Sequence, residues 1–297
     1  MAIVLVKLGG AAITEKRGVC QLNPALDILL TQVHTAYTKL SGQHHLVLIH
    51  GAGSFGHPQA KQYKLKEGWV SPPSSEKIIG FSHIRQTLMD LHLTLLKRLH
   101  ALGVPVVGLS PFDYIETENG NDTPTDTFKT MSDRVHRYLQ AGFVPLLHGD
   151  AVFDRVLGCT ILSGDVIMQQ LGVLLPNVIR CIFITDVQGI YDTDPKLCKE
   201  AKLIRHIRVS PTDACEDQLV VAVDGTVADV TGGIHGKVMW AKRIVLTSKQ
   251  CDVPKDVIIC KLGSKEAMLA MLLEPIFSSN DQPLDQNMTI FTLDESK

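Results

Sequence analysis

Glycine and lysine recur together where the chain turns out of apolar runs. Lys7, Gly9 and Gly10 close AIVLVKLGG, with Ala11 next, and the loop HGAGSFGH (His50 to His57) follows LVLI and places Ala52, Gly53 and Ser54 between two histidines. HGD supplies Gly149, SGD supplies Asp165, TDVQGIYDTDP carries Asp186, Gly189, Ile190 and Tyr191, and TGGIHGK carries Gly233 and Lys237. One glycine turn after a strand is ordinary. A series of them in chain order, with lysines among them, gathers exposed backbone N–H groups and positive charge, which is what several phosphate oxygens require. Lys7 ends an apolar strand, where a lysine without an anionic partner is costly. Lys237 is expected at a helix start, where the dipole disfavours a cation unless an anion lies between them, whereas Asp165 suits such a position. A GxxxxGK[ST] loop is missing from the chain. HExxH and the protein-kinase HRD and DFG motifs are missing too.

The elements that must position these residues are readable as an alternation. AIVLVK, HLVLIH, VPVVGL, FVPLLH, IRCIFIT and DVIICKL are short, continuous apolar runs, the pattern of parallel strands buried on both faces. Helical patterns lie between them at 24–40, 80–102, 125–140, 165–174, 237–248 and 264–273. This predicts an α/β fold with a largely parallel sheet, which binds ligands at the carboxyl ends of its strands. DAVFDRVLGCTIL reads as a β-hairpin and MTIFTL as a final strand. VSPPSSEK and ETENGNDTPTD are loops long enough to act as lids. Phe81, Ile84 and Leu88 fall on one face of the 80–102 helix, first of all a core face and also a candidate wall for an apolar substrate tail.

The 297-residue chain has a formal net charge of −2, which gives no electrostatic reason to expect nucleic acid or an acidic membrane as partner. Its seven cysteines show no CxxC spacing; Cys159, Cys181, Cys215 and Cys260 read as reduced core thiols. His148, His206 and His235 have no ligand spacing, so no metal-ligating set is expected, and Trp69 and Trp240 read as packing residues. The N-terminal run is too short for a signal peptide, and no stretch nears ~18 apolar residues. The expectation is a soluble cytoplasmic protein.

KLGG on the first strand, the glycine-rich loop on the second, SGD, TDVQGIYDTDP, and TGG followed by GK together resemble the amino acid kinase family, in the same order over nearly the whole chain. HGAGSFGHPQAKQY and the early TEK are most similar to the branch that phosphorylates isopentenyl phosphate. The resemblance implies a three-layer α/β/α sandwich as one domain over 1–297, with the acceptor bound by about 1–175 and ATP by about 176–297. It implies ATP and Mg²⁺ as cosubstrate and cofactor, isopentenyl phosphate as acceptor, and a homodimer. By the same resemblance Lys7, Lys16, His57 and Asp165 are catalytic: Lys16 reaches the transferring phosphate and Asp165 fixes the lysines. Lys7, Gly9, Gly10, Ala11, Gly53, Asp186, Gly189, Ile190, Tyr191, Gly233 and Lys237 contact ATP, and Ala52, Gly53, Ser54, His57, Gly149, Phe81 and Ile84 contact the acceptor. Ala11 stands where the family often has serine, and HGAG where HGGG is common. His57 has a chemical reason to be present, because a dianionic phosphate draws an imidazole pKa upward and takes charge-assisted hydrogen bonds from it. Alternatives are a kinase for another small phosphate or phosphonate such as fosfomycin, or a non-catalytic nucleotide-binding protein.

Overall fold

A computed structural model describes residues 1–120, 123–193, 195, 197–210, 231–247, 254–278 and 283–294, with backbone only at 231–235. Its first strand shows how the layers arise. In β1 (Ala2–Leu8), Ile3 and Leu5 enter one hydrophobic core while Val4, Val6 and Leu8 enter another. The same alternation runs through β2 (His44–His50), β7 (Val178–Thr185) and β11 (Asp256–Lys261). A strand with a core on each face must be apolar at every position, which is why these runs are continuous rather than alternating.

Helices supply the outer layers. α2 (Leu26–Leu40), α4 (Ser75–Ala101) and α8 (Lys265–Met271) cover one face. α5 (Lys129–Gln140), α6 (Gly164–Leu174) and α7 (Thr231–Leu246) cover the other. With β3 (Val106–Gly108), β4 (Val144–His148), β10 (His206–Val209) and β12 (Thr289–Leu293), the sheet has the order β10-β12-β11-β7-β1-β2-β4-β3. All pairings are parallel except that between β11 and β12, so the sheet is largely parallel and the three-layer expectation holds. The hairpin is present as β5 (Asp150–Asp154) and β6 (Gly158–Leu162), and MTIFTL forms β12.

Three expectations change. The helix expected from Gly80 begins at Ser75, with the Ser74 hydroxyl accepting from the Lys77 amide. Gly80 lies inside it, against the ring of Tyr63, where a side chain would collide. The helix expected from Lys237 already includes Thr231, so Lys237 is in its second turn and the helix-start explanation for its charge does not apply. Glycine costs a helix only about 1 kcal/mol relative to alanine, and packing along α7 outweighs that. ETENGNDTPTD is not a free lid where it is described. The buried Asp154 carboxylate accepts from the amides of Asn119 (3.1 Å), Gly120 (2.8 Å), Val156 (2.9 Å) and Leu157 (2.7 Å) and from the Thr117 hydroxyl (2.7 Å). Burial pushes its pKa up, but these hydrogen bonds more than reverse that and take it to about 2. Residues 121–122 of this loop, and Cys215, lie outside the described residues.

Candidate active site

Parallel strands β7, β1, β2 and β4 end side by side, and the TDVQG, KLGG, HGAG and HGD segments leave from that edge, while SGD follows the hairpin strand β6 and TGGIHGK lies inside α7. The turns after β1 and β2 interlock: a Cβ on Gly10 would lie 2.5 Å from the Gly53 nitrogen, and one on Gly51 2.5 Å from the Gly10 nitrogen. Only glycine permits this approach, and it brings the start of α1 (Gly10–Ile13) against HGAG.

At the floor lies Lys7, 4% exposed, with its Nζ 3.0 Å from Oδ1 of Asp165 in the first turn of α6. The Ser163 hydroxyl caps that helix by accepting from the Asp165 amide at 3.1 Å. Burial pushes the Asp165 pKa up, yet the Lys7 and Lys237 charges hold it below the ordinary carboxylate value. Lys237 is shifted down by burial and by Lys7, with Asp165 and Asp186 opposing. His57 opens α3 (His57–Gln62) at the exposed rim. The protein behind it, together with Lys7 and Lys237, lowers its pKa, against a smaller pull from Asp165. Without a ligand, therefore, His57 is neutral near pH 7, and an arriving anion would have to supply the upward shift. Lys16 forms an ion pair with Asp186, just after β7, and both line a groove with Ala11, Thr14, Glu15, Arg17 and Asn23. Chains distant in sequence thus bring Lys7, Lys16, His57, Asp165, Asp186 and Lys237 into one electrostatic neighbourhood. A buried lysine, Lys7, and a half-buried one, Lys237, around one carboxylate are suited to a polyanion.

Other expected residues sort differently. Gly9, Gly10, Ala11, Ala52 and Gly53 belong to the interlocked turns, whereas Gly149 follows β4 and abuts the start of α6, a Cβ on it lying 2.9 Å from the Gly164 nitrogen. Ser54 is not a free cradle residue. Its amide donates to the Thr14 hydroxyl at 2.9 Å, and its own hydroxyl bonds the Gln21 carbonyl at 3.1 Å, so it ties HGAG to the 14–21 loop. Ile190 is 6% exposed and packs into the core, leaving only its backbone for a ligand; its amide donates to the Thr289 hydroxyl at 2.8 Å. Gly189 and Tyr191 flank it, the Tyr191 hydroxyl donating to Gln188 at 2.8 Å. Gly233 lies in the part of α7 described by backbone alone.

Phe81, Ile84 and Leu88 form a third, smaller apolar cluster with Leu65, Ala151 and Cys159, and Ala52 of the glycine loop packs against it. Aromatic rings line this cluster, Phe81 lying 5.4 Å from Trp69, 5.9 Å from Phe112 and 5.5 Å from Phe153 between centroids. Trp69 and Phe112 come from separate connecting segments and Phe153 from β5, and no sequence periodicity links them. Cys159 and Cys181 are buried, with thiols pushed by burial to about 11 and about 12, and burial raises that of Cys260 as well, so none of the three serves as a nucleophile.

A largely parallel three-layer sandwich with glycine turns and lysines at one strand edge defines a phosphate-handling α/β protein. The model of the amino acid kinase family matches residues 2–253, and this chain belongs to that family. It is 32% identical to an isopentenyl phosphate kinase of Arabidopsis thaliana, over 90% of this chain and 89% of that protein. It is 31% identical to one from Methanothermobacter thermautotrophicus, over 80% and 84%. A solved isopentenyl phosphate kinase structure superposes with a TM-score of 0.70 at 24% identity, over 92% of this chain and 97% of that one, which supports the fold.

Proposed function

We propose that this protein transfers the γ-phosphoryl group of ATP to the phosphate of isopentenyl phosphate, giving ADP and isopentenyl diphosphate. The observation that carries the reading is the junction of two environments at HGAGSFGH: His57 and the lysines on one side, and the small aromatic-lined cluster around Phe81 and Ile84 on the other. An acceptor with an anionic head and a short branched hydrocarbon tail matches both. Glutamate, or the polar base of a nucleotide, would leave the apolar side unused.

In this reading an acceptor phosphate oxygen attacks the γ-phosphorus and the bond to the β–γ bridging oxygen breaks. Phosphoryl transfer asks the protein mainly for alignment and charge neutralisation. Lys7, fixed by Asp165, and Lys237 hold nucleotide phosphate, Lys16 meets charge developing on the transferring group, and His57 grips the acceptor's own phosphate. Asp186, Gly189 and Tyr191 contact the nucleoside. The carboxylates of Asp165 and Asp186 are engaged by lysines, so Mg²⁺ would enter on the ATP phosphates and be held largely by them and water. The division into acceptor and ATP lobes, and a cytoplasmic homodimer, belong to the same proposal.

ATP consumption with isopentenyl phosphate, dimethylallyl phosphate, fosfomycin, glutamate and uridylate tests the acceptor class. His57→Ala tests the site. A hydrogen bond to a charged group is worth about 1.5–3 kcal/mol, so the acceptor KM should rise roughly 10- to 150-fold with little change in the ATP KM. Equal damage to both would make the loop a nucleotide cradle and defeat the assignment.

A further inference from the structure

Three histidines that have no part in the scheme above are stacked beneath the glycine loops. His50 ends β2, His148 ends β4 beside it in register, and His92 comes from α4. They are 0%, 0% and 3% exposed. Their ring centroids are 5.3 Å apart for His50–His92, 5.3 Å for His50–His148 and 4.7 Å for His92–His148. Burial lowers all three pKa values; the neighbouring rings add to this for His50 and His92, the latter being taken to about 3, while for His148 the pull of Asp150 opposes burial without reversing it.

Their proton positions follow from what they touch. His50 Nδ1 lies 3.0 Å from the Gly51 carbonyl and His148 Nδ1 3.0 Å from the Gly149 carbonyl. A carbonyl only accepts, so both Nδ1 atoms carry hydrogen and, in a neutral ring, both Nε2 atoms are bare. His50 Nε2 lies 3.0 Å from His92 Nδ1, which must therefore donate to it. The strand end is held from both sides: the His50 carbonyl accepts from the Gly149 amide at 3.2 Å, and the Gly51 amide donates to the Leu8 carbonyl at 2.9 Å.

A trans peptide is planar, with C=O and N–H pointing opposite ways. Holding the Gly51 carbonyl toward the buried ring turns the Ala52 N–H away from it, and that N–H has no backbone acceptor among the described residues. We propose that His50, braced by His92, is a positioning residue that locks the Gly51–Ala52 peptide so that the Ala52 N–H faces the acceptor's phosphate. This rests on the phosphate-acceptor reading above.

Amide-for-imidazole exchange separates positioning from mere filling. His50→Asn puts a donor near the Nδ1 position, where it can reach the Gly51 carbonyl. His50→Gln puts one near Nε2, toward His92, and leaves that carbonyl unheld. The expected result is an acceptor KM within about threefold of wild type for Asn, but raised roughly tenfold or more for Gln, with the ATP KM unmoved in both. Imidazole ¹⁵N shifts of the wild type should show His50 and His148 as Nδ1–H tautomers. Equal KM values for the two folded variants, an effect on ATP as large as on the acceptor, or an Nε2–H tautomer at His50 would each overturn the proposal. Wild-type inactivity on isopentenyl phosphate would instead defeat the functional reading, while the tautomer measurement would still judge the peptide lock.

Discussion

Replacing Asp165 by asparagine removes one charge from the centre of the site and changes almost nothing in shape. Two unit charges at the observed 3.0 Å attract by about 5–6 kcal/mol at an effective dielectric near 20. Desolvation of the pair cancels much of this, but it is not recovered when one partner alone is deleted. Buried pairs broken from one side typically lose about 3–5 kcal/mol. The lower end applies here, because the Asp165 side chain keeps 14% exposure and water can reach it. A loss of about 3 kcal/mol corresponds to roughly 5 °C in melting temperature for a chain of this length. Because the penalty is repulsion between Lys7 and Lys237, an anion should relieve it: saturating ADP should recover more than half of the deficit. The deficit should also shrink as pH rises from 7 toward 10. Burial already depresses the Lys237 pKa, and without the carboxylate it falls further. The unfolded chain then holds protons that the folded one has shed, and stability rises with pH in that window. Thermal unfolding of both proteins, with and without ADP, at pH 7 and pH 9 provides the comparison. A deficit below 1 kcal/mol, or one indifferent to both ADP and pH, would refute this account of the site.

The hydrogen-bonded Asp154 carboxylate should act as an acid-labile anchor. Its depressed pKa, about 2, makes its contribution complete above the unfolded value near 4 and lost as pH falls through 2. Asp154→Asn should therefore be roughly 2 kcal/mol less stable than wild type in urea at pH 7 and lose that difference at low pH. For the lysines, Lys237→Ala should chiefly raise the ATP KM, while Lys16→Ala should lower kcat roughly 100-fold. A Lys16→Ala enzyme within twofold of wild-type kcat would remove Lys16 from the transfer step.

The sheet was legible because a strand buried on both faces cannot hide its composition: the six apolar runs became β1, β2, β3, β4, β7 and β11 to within a few residues. The short strands β8 (Ile190–Tyr191) and β9 (Leu203–Ile204), and β10, carry too few residues for a pattern. Helix starts failed where glycine had two meanings. Gly80 reads as a boundary, yet it is where α4 makes room for Tyr63. Within the candidate site, lysine and glycine at strand ends announced themselves by their cost elsewhere. Ser54 did not, because its bonds to Thr14 and Gln21 close a loop that spacing does not reveal. Nor did the histidine stack, whose members lie far apart in sequence. The one available signal was the repeated His-Gly step, HGA and HGD, at the ends of two buried strands.

The third apolar cluster has a further consequence for how such a molecule could change over time. It is built from α4, the β5–β6 hairpin and neighbouring loops, and shares no buried residue with the two cores that clamp the sheet. On the proposed reading, enlarging or trimming a ring there would change which tail is accepted while the lysines keep their seats. In that case appetite for a particular tail and competence at moving a phosphoryl group would drift independently. A lineage could trade one acceptor for another through a handful of aromatic substitutions, never passing through an ancestor that had lost its chemistry.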